Sequence, residues 1–250
     1  MGYESELWVL SAGYSLIQAS QNIVPYSASF SPGEDSIHNL DWPEDFSPTK
    51  RAREWWHLLS EKLERPSVTR FKNLGPESVV LFILSKEYYK AIESDLIELI
   101  SADTNLFIIS AGLYREIGSV SPIVRPYILP FNDSFKQLDP YLNNTNVSLN
   151  VRLSNWLIIN HGPSLTEGIE KVFPKIHKIG SGLPEPYRKP LIPMTDEEVL
   201  DYINKHYSSS LSSASKMLRQ LRDIDQLSCE QKRFGRLFKK FIESKQGELF

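Results

Sequence analysis

Ser11, Gly13 and Tyr14 close an apolar run, Leu7-Trp8-Val9-Leu10-Ser11-Ala12-Gly13-Tyr14. The same phrase returns as Leu106-Phe107-Ile108-Ile109-Ser110-Ala111-Gly112-Leu113-Tyr114. A hydroxyl, a glycine that lets the backbone approach closely and an aromatic ring are the parts needed to hold a phosphate, a ribose or a planar base. An apolar run bounded by small residues reads as a buried strand of a parallel sheet. In open α/β sheets the ligand crevice lies beyond the carboxyl ends of such strands. Ser11, Gly13 and Tyr14, with Ser110, Gly112 and Tyr114, are therefore expected to line one crevice. The plainer alternative is that each Ser-Ala-Gly only packs a strand tightly against the loop that follows.

A second set of candidate residues is cationic. Between 216 and 240 stand eight basic residues, Lys216, Arg219, Arg222, Lys232, Arg233, Arg236, Lys239 and Lys240, against three acidic ones. Residues 1–194 carry 18 basic against 22 acidic side chains, so the surplus is local. Basic side chains gathered on one face of a helical unit are the footprint expected for a phosphate backbone. A solvated helix face or a protein-docking face has the same composition.

Other chemistry is poorly represented. There is no Gly-Lys-Ser/Thr phosphate loop, His-Glu-x-x-His zinc motif or Gly-x-Ser-x-Gly elbow. The one cysteine, Cys229, excludes an internal disulfide framework and stands where a helix begins; burial as a small apolar side chain competes with activation there. His161 ends an apolar element and is either a third wall of the crevice or structural. The Trp55-Trp56 pair reads as core. No general acid or nucleophile is identified, and nothing calls for a metal or cofactor. No apolar run approaches the ~18 residues of a membrane span, and no signal peptide opens the chain, so a cytoplasmic protein without a membrane partner is expected.

These residues need elements to position them. Leu7 opens the first strand, and residues 15–47, rich in Ser, Asn and Pro, read as a long ordered loop. Ser47-Pro48 starts a helix with Ala52, Trp55, Trp56, Leu59 and Leu63 inward. Residues 78–84 form a second strand, Ser85 caps a helix burying Tyr89, Ile92, Leu96 and Leu99, and Asn105 leads into the second Ser-Ala-Gly strand. This order implies parallel pairing. Residues 149–160 fit a strand or a helix, with helix favoured for the second half. Ser164–Glu167 is a capping box that starts a helix, which Pro174 should end or kink.

Residues 179–194, rich in Pro and Gly, read as a linker between an α/β domain (1–178) and a basic helical module (195–250). In that module Thr195–Glu198 and Ser228–Gln231 are capping boxes. Val199, Leu200, Ile203, Met217, Leu218, Leu221, Ile224, Phe234, Leu237, Phe238 and Phe241 should face inward. The expected fold is thus α/β, a mostly parallel sheet flanked by helices, with a small three-helix, helix-turn-helix-like module.

Val9–Ile17, then Asn22–Ser27 and Ser29-Phe30, resemble a strand-turn-Pro-Tyr motif of the YaaA-like group and of domains attached to archaeosine and queuosine (deazaguanine) modification enzymes. The resemblance covers about 25 residues and adds Tyr26 to the candidate ligand residues. Two departures stand out: Ser15 occupies a position where glycine is usual, and the strand and helix that precede the motif in the family are not seen before Leu7. The resemblance implies DNA binding, and the missing elements imply either a protein partner that completes or covers the N-terminal sheet edge or a rearranged fold. The closing phrase Leu218–Arg222, Cys229–Phe234 and Leu237-Phe238 also resembles a module of bacterial mobile or defence gene clusters. With the basic module, these resemblances imply a nucleic-acid-binding component of a DNA or RNA modification or anti-phage defence system. The alternatives are a nucleotide- or nucleoside-processing enzyme whose helical module serves oligomerisation, and a structural subunit of a larger complex.

Overall fold

Only Ala12, Gly13 and Tyr14 separate Ser11 from Ser15, and that spacing decides the fate of the first Ser-Ala-Gly phrase. In the computed structural model, which describes residues 4–75, 77–143, 148–185, 191–208 and 211–247, β1 (Trp8–Ser11) turns straight back into β2 (Ser15–Gln18). The two pair antiparallel, with Ser11 opposite Ser15. A three-residue turn cannot support a parallel crossover, so β1 does not join the parallel sheet, and the expected loop at 15–47 begins as a strand. Ser15 adopts φ 62°, the left-handed position that closes such turns and favours glycine. Its buried hydroxyl donates to the Pro66 carbonyl at 2.8 Å, which anchors a residue the local backbone alone would not choose.

The parallel sheet is built from β3 (Val80–Ile83) and β4 (Leu106–Ile109), paired in register Val80 to Leu106. A third lane runs beside β4, where Ile128 bridges Ile108 in parallel and the Leu129 N–H donates to the Ile108 carbonyl at 2.9 Å. Leu106, Phe107, Ile108 and Ile109 are all buried, which explains the unbroken apolar run: both faces of the sheet are covered.

On one face lie α1 (Pro48–His57) and α2 (Lys86–Ser101), through Trp56, Ile92, Leu96 and Leu99. On the other lie α4 (Leu149–His161) and α5 (Ile169–Ser181), through Leu153, Leu157, Val172 and Ile176. Between these layers the short α3 (Ala111–Arg115) follows β4. Fully burying side chains such as these contributes about 1.5–3 kcal/mol each.

The caps predicted at Ser47 and Ser85 form: each hydroxyl accepts from the backbone three residues on. Several expectations shift. α1 runs on into a π-turn through Lys62, and Leu63 is exposed beyond it. α4 is helical from Leu149, because Leu149 and Leu153 pack with Leu157 on one helical stripe and Val151 faces outward. The Ser164 segment is a 3-10 turn (162–167), and α5 starts only after Gly168, whose φ of 86° breaks the chain direction. Pro174 lies inside α5 without ending it, and α5 extends through Ser181, past the expected boundary at 178.

The chain divides into two compact units, 1–186 and 187–250. Residues 186–190 of the expected linker lie outside the described residues. Ile192 and Pro193, also expected as linker, form β5 and pair parallel with β6 (Leu227–Ser228). The second unit packs α6 (Asp196–His206), α7 (Ala214–Asp223) and α8 (Gln231–Gly247) around Val199, Ile203, Met217, Leu221, Phe234 and Leu237. Thr195 and Glu198 make the reciprocal capping box. Ser228 does not cap α8, since it is held in β6. Glu230 does so instead, its carboxylate accepting from the Lys232 and Arg233 N–H groups at 3.0 and 2.9 Å. Ile224 follows the last turn of α7 and is exposed. Among the described residues no helix is long and apolar enough to cross a membrane.

Candidate functional site

Each Ser-Ala-Gly turn lies against the first turn of α2, the first through Tyr88 and the second through Lys86. The Tyr88 ring packs on Phe30, and its hydroxyl is pushed above the usual phenol range, mainly by burial and then by Tyr26, against a hydrogen bond from the Ala12 backbone. Lys86, two residues earlier, lies against Gly112 and pairs with Glu116, whose carboxyl it holds below the ordinary value.

The first turn is not an open site. Ser11 accepts from the Gly13 and Tyr14 N–H groups at 3.3 and 3.1 Å and shares a 2.8 Å hydrogen bond with the Tyr26 hydroxyl. The Tyr26 ring stands directly over Gly13, where a Cβ would fall 2.3 Å from it. Tyr14 packs edge-on to Tyr26 and donates to the Val24 carbonyl, while Trp55 donates to the Ala12 carbonyl at 2.6 Å. Every polar group singled out here is spent inside the fold. The Ser-Ala-Gly-Tyr…Tyr set locks a hairpin to α1.

At the second turn, Ser110 caps α3 by accepting from Leu113 N–H at 3.3 Å. Asn150 of α4 ties the strand ends together: its amide donates to the Leu84 carbonyl at 2.9 Å and its oxygen accepts from Ala111 N–H at 3.0 Å. Gly112 is packed beneath Lys86.

Tyr114 alone of these candidates opens onto a cleft, with a volume of about 260 Å³. The cleft sits past the carboxyl ends of β4 and of the 128–130 lane, the position where α/β folds hold ligands. Asn132 and Ser134 line it from the end of that lane, His177 and Gly180 from the last turns of α5, and Glu185 from the segment beyond. Gln137 holds that segment in place by donating to the Pro184 carbonyl at 2.8 Å. Gly180 is required where it stands, because a Cβ would come 2.9 Å from the Phe135 ring. None of these four polar residues is apparent from spacing. The only trace is the apolar Tyr127-Ile128-Leu129-Pro130-Phe131 run, which ends in Asn132 as the earlier strands end in Ser; its proline disguises it as a loop.

His161 is not part of the cleft lining: it ends α4 edge-on to Trp156, and burial, with Lys175 secondary, lowers its pKa. Cys229 is buried, and burial pushes its thiol up, so the helix start does not activate it.

In the second unit the eight basic residues separate by role. Arg222 donates to the Cys229 carbonyl at 2.6 Å, joining the end of α7 to the approach to α8. Arg233 pairs with Asp196 at 2.5 Å, joining α8 to α6. Arg236 reaches the same Asp196 at 3.6 Å, and Lys239 reaches Glu243 at 3.8 Å. Lys216 and Arg219 on α7, with Lys232 and Lys240 on α8, are exposed and make no ion pair among the described residues. The Phe and Leu side chains of α8 occupy its opposite face.

No protein-family model, curated protein or solved structure matches this chain.

Proposed function

We propose that the protein is a nucleic-acid-binding component of a DNA or RNA modification or defence system and that its C-terminal helical unit makes the contact. The observation that carries this reading is the set of uncommitted cations, Lys216, Arg219, Lys232 and Lys240, on the solvent faces of α7 and α8. Arg236 and Lys239 add to it, because their long, exposed pairs with carboxylates hold little energy and give way to a phosphate at small cost. Arg222 and Arg233 are withdrawn from it by their structural roles. The modification setting rests on the resemblance of residues 7–30, and the defence setting on the similarity of the Leu218–Phe238 phrase to a module of bacterial mobile or defence gene clusters.

Four to six phosphate contacts give a slope of about −3.6 to −5.4 in a plot of log affinity against log salt. The test is fluorescence anisotropy of a labelled duplex, with tRNA in parallel, across a salt series. Arg219→Ala combined with Lys232→Ala should lower affinity and flatten the slope by about two. A slope near zero, or a double variant that binds like the parent, refutes the reading.

A further inference from the structure

We infer that the cleft at the ends of β4 and the 128–130 lane is a binding site for an uncharged ribonucleoside. The inference is independent of polyanion binding by the second unit. Its first support is a set of polar groups left without protein partners. Ser134 is 4 % exposed, yet its hydroxyl makes no hydrogen bond among the described residues, although its N–H is held by the Asn132 side-chain oxygen at 2.8 Å. Ser134 lines the cleft, so that hydroxyl is open to a ligand's donor or acceptor. That same Asn132 bond fixes the amide so that its NH2 is left over. The Tyr114 hydroxyl and the Glu185 carboxylate are likewise unclaimed among the described residues. The contrast with the first Ser-Ala-Gly turn, where every such group is used, is the reason to read this cleft as built for a ligand.

The chemistry of the lining selects the class. Tyr114 and His177 supply two rings against which a planar heterocycle can stack, and the His177 ring lies nearly parallel to Phe173, 6.1 Å away. Asn132 and Ser134 offer a donor pair and a hydroxyl for the edge of a base. Glu185 is an acceptor-only group suited to two adjacent sugar hydroxyls. Among the described residues no lysine or arginine lines the cleft, and Arg115, next to Tyr114, is committed to Asp133 at 2.9 Å. A phosphate would meet repulsion from the Glu185 carboxylate. The volume of about 260 Å³ falls just below the range of drug-sized pockets, which suits a nucleoside.

The test is titration of the intact protein with adenosine, guanosine, cytidine and uridine, each also as its 2′-deoxynucleoside and 5′-monophosphate. Calorimetry gives affinity, and the His177 imidazole resonances report occupancy. At least one ribonucleoside should bind with Kd below about 1 mM. Its deoxy form should bind several-fold more weakly, and its monophosphate no more tightly. Ser134→Ala should weaken binding about tenfold while leaving the unfolding midpoint unchanged or raised, since the lost hydroxyl had no protein partner. Glu185→Gln should erase the preference for the ribose form. The inference is overturned if none of the four ribonucleosides moves His177, if the monophosphate binds more tightly, or if both variants bind as the parent does.

Discussion

Gly13 and Gly112 occupy equivalent places in two copies of one phrase, and alanine should affect them in opposite directions. At Gly13 the new Cβ would lie 2.3, 2.6 and 2.8 Å from Cδ2, Cε2 and Cγ of Tyr26. Because Cγ itself is too close, the ring has to swing outward. That breaks the 2.8 Å Ser11–Tyr26 hydrogen bond, worth about 1 kcal/mol, and the 5.2 Å edge contact with Tyr14, worth about another. Residual crowding adds about 1 kcal/mol, and the stiffer unfolded chain returns about 0.4–1. The net cost is about 2 kcal/mol. At Gly112 the nearest atom to a new Cβ is Lys86 Cε at 3.4 Å, an ordinary contact with a flexible chain. Helix propensity within α3 then stabilises Gly112→Ala by about 0.5–1 kcal/mol. All five tryptophans (8, 42, 55, 56 and 156) lie in the first unit, so urea unfolding followed by their fluorescence reports on that unit. With a slope of about 2 kcal/mol/M, the midpoint should fall by about 1 M for Gly13→Ala and rise by about 0.3–0.5 M for Gly112→Ala. Midpoints that move together, or a silent Gly13→Ala, would show that the Tyr26 packing is not what fixes the first turn.

Two further outcomes follow from the same geometry. Asp95 accepts from Trp56 Nε1 and Ser67 Oγ, both at 3.0 Å, and burial outweighs these bonds, raising its pKa above the ordinary 3.8. The folded state therefore holds this proton more tightly than the unfolded chain, so the contribution is full below the ordinary value and is lost as pH rises through the raised one. Asp95→Asn should remove that fall in stability, seen as a flatter unfolding midpoint across the mildly acidic range; an unchanged pH profile contradicts the assignment. In the second unit, Arg222→Ala should destabilise the helices by about 1–2 kcal/mol through loss of the bond to the Cys229 carbonyl, whereas Arg219→Ala should leave helical circular dichroism melting within about 0.5 kcal/mol of the parent. Equal melting of the two variants would remove the distinction drawn between structural and uncommitted arginines.

What the sequence determined by itself was local. The starts at Ser47-Pro48, Ser85 and Thr195–Glu198, the inward stripe of α2 and the faces of α6, α7 and α8 all depend on a cap or a period read within a few residues, and the parallel β3–β4 pair follows from the order strand, helix, strand. Tertiary structure alone decided the rest. Ser11 and Ser110 sit in near-identical phrases, yet one closes a hairpin under Tyr26 and the other caps a helix, because the partners that distinguish them, Tyr26, Trp55 and Asn150, come from other parts of the chain. Arg222 and Arg219 look alike in a charge count, and only the fold gives the first a carbonyl to hold. The cleft was equally invisible: its walls are set by the Leu129–Ile108 and Gln137–Pro184 hydrogen bonds, which join residues whose spacing carries no periodic signal.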